Sequence, residues 1–558
     1  MTHKLILTIL LLLSLTITSS SLHAQVSERT LPEEWNHLVK GGRFMDRFLP
    51  MKGHNRSSDT WGATGVIPRF TDNGIEDRIW SYWGGNIVKG DDDLYHLMVC
   101  GWLESSPKGH MEWPDSYVFN TVSDNPTGPF KLHNMIGKGH NPEVYRLKDN
   151  RYVLYVIGGR YLSDDLSGDW EYGEFEFDAR DRRIIEGLSN LSFARREDGS
   201  FLMVCRGGGI WISRDGLSTY HQITDQRVYP DVDGRFEDPV IWKDHIQYHM
   251  IVNDWLGRIA WYLRSKDGIN WVVDPGVAYA PGIAIHEDGA VEDWFKFERI
   301  KMLQDQHGRA IQANFAVIDT LKHEDKPYDN HSSKNIGIPL NPGLLLTILD
   351  EKPITPETRQ IRLKIEAEKG FNPQTDIELA SLRFGASSEV NFGRGSTVLK
   401  SENERNDLIV TFNGNGNGIT PDEFAPKLIG RYKNGELLYG YARLPYVDYI
   451  EPILSARSPV FSESDRKFSC TIEVENFGQV PSAEASLKIE SLDKNGKKRL
   501  VASGKVPALQ PYEKTKIRLT TKIKQVPAAF EGQEIIVSIL DGKKILSTFR
   551  TQPRVSQQ

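Results

Sequence analysis

The sequence predicts an all-β chain, a five-bladed β-propeller followed by two C-terminal β-sandwiches of immunoglobulin-like type, on three observations. First, a turn pattern of Ser, small or turn residues and then an aromatic recurs at Ser123–Phe130, Ser163–Trp170, Ser213–Tyr220 and Ser265–Trp271. The copies begin 40, 50 and 52 residues apart, a period that marks a propeller or solenoid. Second, a β-rich segment, a polar turn and another β-rich segment recur at Asn86–Cys100, Pro142–Val156, Leu191–Cys205, Asp238–Val252 and Glu298–Gln312, the pattern of five antiparallel hairpins. Third, the chain beyond about residue 352 reads as short alternating segments between turn signals, the spacing of a β-sandwich.

Taken in order, Lys4, the apolar run Leu5–Leu13 and Leu22-His23-Ala24 form a secretory signal peptide over residues 1–24. The protein is therefore expected to be periplasmic or secreted. The apolar run is too short to span a bilayer, and nothing later resembles a membrane span. The propeller is expected over residues 25–350, where five sheets packed radially share one continuous core. Leu344–Leu349 is a strand that either closes or leaves the ring. A sandwich over residues 351–450 is read from Ile361–Glu366, Ile377–Arg383, Leu408–Phe412 and Glu436–Ala442. Its Asn413–Gly418 run is a turn cluster, without the strand and helix context of a phosphate loop. An immunoglobulin-like sandwich over residues 451–558 is read from Phe468–Glu475, Glu484–Glu490, Lys514–Thr520 and Glu534–Ile539, with a break at Asn476-Phe-Gly478. Spacer and carbohydrate-binding roles are both open to it.

Composition narrows the function classes. A hydrophobic share of 39% with 10% aromatics suffices for β-rich cores. Three cysteines give no disulfide framework, and Cys100 and Cys205, at hairpin ends, read as small buried apolar residues. A net charge of −7 without any basic run gives nucleic-acid binding no support. The oligomeric state is not indicated.

In a propeller the innermost strands begin near the axis, so their first residues converge on one funnel. Here those starts are Trp83-Gly-Gly-Asn86, His140-Asn-Pro-Glu143, Leu188-Ser-Asn190, Phe236-Glu-Asp-Pro239 and Phe297-Glu-Arg299. Carboxylates beside Trp and His suit a sugar site, the acids for proton transfer and the rings for stacking. Catalytic candidates are Glu237, Glu143 and His140; substrate-binding candidates are Trp83, Asn86, Asn141, Asn190, Arg206, Asp238, His286, Glu298 and Arg299. The segment His286–Phe295 reads as a loop over the funnel mouth or as a solvated acidic loop. No spacing matches a zinc or EF-hand calcium site, and no metal ligands are assigned.

On these strand starts, over roughly residues 75–325, the chain resembles the five-bladed propeller glycosidases. That group contains glycoside hydrolase family 43 and its relatives, including the family acting on anhydro-galactose ends of agar oligosaccharides. The resemblance implies a base Asp in the first blade, a pKa-adjusting Asp near the third and a general-acid Glu near the fourth. Glu237 in Arg235-Phe-Glu-Asp-Pro239 matches the acid, His140-Asn-Pro-Glu-Val144 resembles the second-blade motif, and Phe297-Glu-Arg-Ile300 looks like the fifth-blade strand. The resemblance also permits a single Ca²⁺ in the channel. The chain departs from the family at Asn86, aligned with the base, and Asn190, aligned with the modulating acid. An amide cannot deprotonate water, so either the blade register differs from this alignment or the chemistry has changed.

Three readings follow. The first is an exo-acting glycoside hydrolase trimming oligosaccharides from an anionic plant or algal polysaccharide or a neutral one, with Glu143, His140 or His286 standing in for the missing base. The second is a lyase or dehydratase acting on a uronic-acid oligosaccharide, in which Asn86, Asn141 and Asn190 bind the carboxylate. The third is a glycan-binding propeller without catalysis.

Overall fold

In the computed structural model the described residues are 29–52, 56–57, 69–332, 334–464, 467–492, 496–521 and 534–555. The leader read at residues 1–24 lies outside them. Five sheets follow one another along the chain and make the propeller, antiparallel except where Phe177–Asp178 adds to the third in parallel with Tyr220–Gln222. Blade one runs from Trp80–Lys89 to Lys131–Lys138, blade two from Glu143–Arg146 to Glu171–Glu174, and blade three from Ser192–Arg195 to Tyr220–Gln222. Blade four runs from Phe236–Lys243 to Val272–Tyr279, and blade five holds three strands, Lys296–Gln304, Ala310–Ile318 and Lys334–Pro339. Each expected hairpin is the inner pair of one blade.

The repeated Ser and aromatic turns join the two outer strands of blades one to four. Their recurrence has a local cause. In the fourth copy the Ser265 hydroxyl accepts the Gly268 N–H at 2.9 Å, while Asp267 Oδ1 accepts those of Ile269 and Asn270, both at 2.8 Å. In the third, Ser213 and Asp215 do the same for Gly216, Leu217 and Ser218. Short polar side chains replace backbone partners at these turns, which is why Ser and Asp return at each.

Apolar packing lies between blades rather than within them. Met98 and Val118 of blade one meet Val144 and Leu154 of blade two. Equivalent clusters join Tyr155 to Phe193, Val204 to Met250, and Trp242 to Phe315. The ring closes through residues that precede blade one. Ile75 pairs with Asn335 and Phe48 with Leu340, and the Asn73 side chain clamps Gly337 by accepting its N–H at 2.8 Å and donating to its carbonyl at 2.9 Å. Leu346–Ile348, by contrast, leaves the ring and pairs with Gln360–Ile365 in the first sandwich.

That sandwich packs the sheet containing Gln360–Ile365 and Asp407–Asn413 against the one containing Lys427–Arg431 and Leu437–Tyr441. The segment Ile377–Arg383, expected as a strand, folds mainly as turns after a short helix, Pro373–Asp376, capped by Asn372. The second sandwich encloses Ile472, Leu487 and Val537 between sheets carrying Lys467–Asn476 and Ile535–Asp541. Buried arginines dock both sandwiches on the propeller. Arg180 reaches Glu475 Oε2 at 2.8 Å and the Ser455 carbonyl at 2.8 Å, and Arg264 donates to Ser387 Oγ at 3.1 Å.

Polar side chains stitch the innermost strands around the axis. Asn86 of blade one grips Val144 of blade two, donating to its carbonyl at 3.0 Å and accepting its N–H at 2.8 Å. Ser192 of blade three donates to Glu143 at 3.2 Å and accepts the Ile241 N–H of blade four at 3.1 Å. Asn314 of blade five donates to the Gly85 carbonyl of blade one at 3.1 Å. Across the middle runs a buried ion pair between Glu143 of blade two and Lys301 of blade five, blades that are not neighbours in the ring. Removing one partner of such a pair leaves an uncompensated charge. Lys301→Met is therefore expected to lower unfolding stability by about 3–5 kcal/mol in denaturant titrations, and the double variant Glu143→Gln/Lys301→Met to recover most of that loss.

Candidate functional site

Five residues at the strand starts share a left-handed backbone and set the register of the funnel. They are Gly84 (φ 65°), Asn141 (54°), Asn190 (51°), Asp238 (51°) and Arg299 (54°). Gly, Asn and Asp adopt this conformation at little cost, whereas Arg does not. Arg299 is held there by Asp238, whose Oδ1 lies 2.5 Å from its guanidinium and whose Oδ2 accepts its backbone N–H at 3.4 Å. Bulges at Trp83/Asn86, Glu237/Val240 and Glu298/Lys301 confirm the alignment. One position before the left-handed residue gives a mouth ring of Trp83, His140, Ser189, Glu237 and Glu298. Two positions after it gives a base ring of Asn86, Glu143, Ser192, Val240 and Lys301.

This register revises the sequence alignment. Asn86 lies two residues deeper than Asn141 and Asn190, and both polar atoms of its amide are engaged by Val144. The blade-one residue equivalent to Asn190 is Gly84, which has no side chain to offer. Glu143 belongs to the base ring, buried against Lys301, Tyr145 and Ser192. His140 is buried too: Nδ1 lies 2.9 Å from Ser116 Oγ and 3.3 Å from Cys100 Sγ, and the ring centre is 4.9 Å from that of Trp113. Trp83 is fully buried under His110 at 4.5 Å, with Lys322 Nζ 5.4 Å from its ring centre. His286 stacks on Phe70 at 3.6 Å and lies 2.8 Å from Glu292. Its loop turns inward there, burying Glu292 and Trp294 rather than presenting them over the mouth.

The structure brings the remaining candidates together at the neck, a small pocket walled by Asn141, Asn190, Asp238, Arg299 and Lys301. A line of amides ends on an acid: Asn141 Nδ2 donates to Asn190 Oδ1 at 2.9 Å, and Asn190 Nδ2 donates to Glu237 Oε1 at 2.9 Å. Arg206, on the loop after the second strand of blade three, lies 3.7 Å from the same Oε1 and bonds Glu186 at 2.6 Å. The Glu237 side chain stays 21% exposed. Glu298, 1% exposed, lies 2.5 Å from Lys322 Nζ and 3.9 Å from Lys296 Nζ. The sequence reading missed Lys322, Lys296 and Glu186. Lys296 stands two residues before Glu298, on the same face of its strand, a signal that a lysine accompanies this acid.

Burial and neighbouring charges set the protonation states. Burial pushes Asp238 up to about 7, against the pull of Arg299 and with help from Glu237 and Glu298. Burial also raises Glu298, but Lys322 and Lys296 outweigh it and hold that carboxyl below its usual range. Burial, then the charges of Arg299 and Lys322, keep His140 well below the usual histidine range. Among the described residues no group of three or more His, Cys, Asp or Glu is placed to hold a metal ion. The neck does not fit the Ca²⁺ that the resemblance permits, because Asp238, the carboxylate of the left-handed ring, is engaged by Arg299, and Arg299 and Lys301 already bring positive charge.

No family model matches the chain, and no curated protein matches it. Solved structures similar to it include a family 117 glycoside hydrolase produced by the marine bacterium Zobellia galactanivorans, at 12% identity and a TM-score of 0.34, covering 53% of this chain and 89% of that one. An alpha-L-arabinofuranosidase from Lactobacillus brevis matches at 10% identity and a TM-score of 0.34, over 47% of this chain and 91% of the other. A protein of unknown function from Dyadobacter fermentans matches at 11% identity and a TM-score of 0.30, over 61% and 97%. Family 43 glycoside hydrolases also stand among the neighbours. The five blades are counted from the sheets themselves, and likenesses of this size decide nothing about activity.

Asp238 binds a proton in the folded protein that the unfolded chain, with its ordinary value of 3.8, releases. Its stabilising contribution is therefore full below pH 3.8 and is lost as pH rises through about 7. The difference in denaturant midpoint between the unmodified protein and Asp238→Asn, measured from pH 4 to 8, is expected to move against the unmodified protein as pH rises through about 7.

Proposed function

We propose that this chain is a carbohydrate-active enzyme, an exo-acting glycoside hydrolase with Glu237 as its general acid. The observation that carries the proposal is the setting of Glu237. It is a partly exposed mouth-ring carboxylate whose Oε1 is tied down by Asn190 and Arg206, leaving Oε2 to meet a substrate. Protonated, Glu237 gives its proton to the glycosidic oxygen as the bond from that oxygen to the anomeric carbon breaks. The second carboxylate is Glu298, kept ionised by Lys322 and Lys296, which takes the proton of the water that adds to the anomeric carbon. Asp238 serves neither role, since Arg299 engages it. Glu143, paired with Lys301, holds the scaffold. A funnel closed below by that pair admits chain ends rather than the middle of a chain, which supports exo action.

The elimination reading draws on Asn86, Asn141 and Asn190 to bind a uronate, and the position of Asn86 in the base ring leaves it two of the three. The sandwich over residues 451–558 is assigned a spacer or glycan-binding role. Residence in the periplasm or outside the cell rests on the leader read at residues 1–24. Mass spectrometry after incubation with defined oligosaccharides tests the reaction. Products summing to substrate plus one water are expected; an unsaturated end would support elimination instead. Glu237→Gln is expected to lower the rate at least about 100-fold while oligosaccharide binding persists. Binding with no turnover in either protein would leave a glycan-binding propeller.

A further inference from the structure

The described part of the funnel mouth is more positive than the chain as a whole, which carries a net charge of −7. Arg206, Lys296, Arg299 and Lys322 gather around Glu237, Asp238 and Glu298. Glu186 pairs with Arg206 at 2.6 Å from the rim, but its own side chain is 64% exposed and free to give way to a ligand. The field of these cations is felt inside the site. His110 and His140 sit well below the usual histidine range, first through burial and then through Lys322 and Arg299 among their neighbours. A low-dielectric funnel focuses such a field toward a ligand.

Two of these cations can reach a ligand. The Arg206 side chain is 39% exposed and that of Lys322 30%, against 11% for Arg299 and 9% for Lys296. Arg206, from blade three, lies 3.7 Å from Glu237, and Lys322, from the loop after the second strand of blade five, lies beside Glu298 and over the Trp83 ring. Lys322 also covers Glu298, its Nζ 2.5 Å from Oε2, so a ligand that draws the ammonium away uncovers the second carboxylate.

We propose that Arg206 and Lys322 form an anion subsite, and that the sugar bound at the funnel mouth carries a carboxylate or a sulfate ester. The guanidinium fork and the ammonium both bind either group by charge-assisted hydrogen bonds. This deepens the hydrolase reading by naming its substrate class, and it rests on that reading for the ligand being a sugar.

Calorimetry on full-length Glu237→Gln, expected to bind without turning over, separates the two ideas. The probes are a uronic-acid trisaccharide, a sulfated trisaccharide and a neutral trisaccharide. One charged probe is expected to bind at least about tenfold more tightly than the neutral one at low salt, with the margin shrinking as salt rises. Which charged probe wins identifies carboxylate or sulfate. Adding Arg206→Ala or Lys322→Ala is expected to remove most of the margin while binding of the neutral probe persists, and Lys322→Arg to keep it. Equal binding of charged and neutral probes, with the neutral sugar hydrolysed by the unmodified protein, overturns the anion subsite and leaves the hydrolase reading standing. A margin that survives both alanine variants overturns it as well. If none of the probes binds, both fall together.

Discussion

The rest of the propeller depends on one interaction, the buried ion pair of Glu143 and Lys301 across the axis. Blades two and five are not neighbours, so the pair ties strands that inter-blade packing cannot hold together. Each charge costs several kcal/mol to desolvate, and the arrangement survives because Glu143 also accepts from Tyr145, Ser192 and the Phe193 N–H, while Lys301 reaches the Leu191 carbonyl at 3.5 Å. The pair floors the funnel, and every candidate for chemistry stands above it.

Above that floor the left-handed residues aim side chains inward. Where the residue is Asn, an amide lines the wall; where it is Asp or Arg, the two neutralise each other across adjacent blades. The mouth ring one residue earlier carries the acids. A single backbone feature repeated in five blades thus sorts side chains into layers, with structural charges at the base, paired polar groups at the neck and reactive groups at the rim.

The hairpins and the Ser and Asp turns were legible because both are written in neighbouring residues. The layers were not. A bulge inserts one residue where the period of two is being counted, so Asn86 groups with Asn141 and Asn190 as a strand-start asparagine although it lies two positions deeper. A glutamate at a strand start reads alike whether it faces the mouth or the axis; Lys301, which decides the matter for Glu143, stands 158 residues away. Glu237 was legible because the motif around it is local, and Lys322 was not, because a loop lysine carries no periodic mark. In the first sandwich Val398–Glu404 escaped notice since six of its seven residues are exposed and alternation vanishes.

The closure of the ring imposes an order on its making. Phe48 and Ile75 find their backbone bridge partners at Leu340 and Asn335, and the Asn73 side chain clamps Gly337, all near the far end of blade five. During synthesis these early segments wait while four blades stack in sequence, each against the one before. Contacts so distant along the chain make closure a slow, late event, and until it occurs the first and last blades each present an uncovered apolar face. The assembly step that completes the molecule therefore falls to residues synthesised before any of the blades.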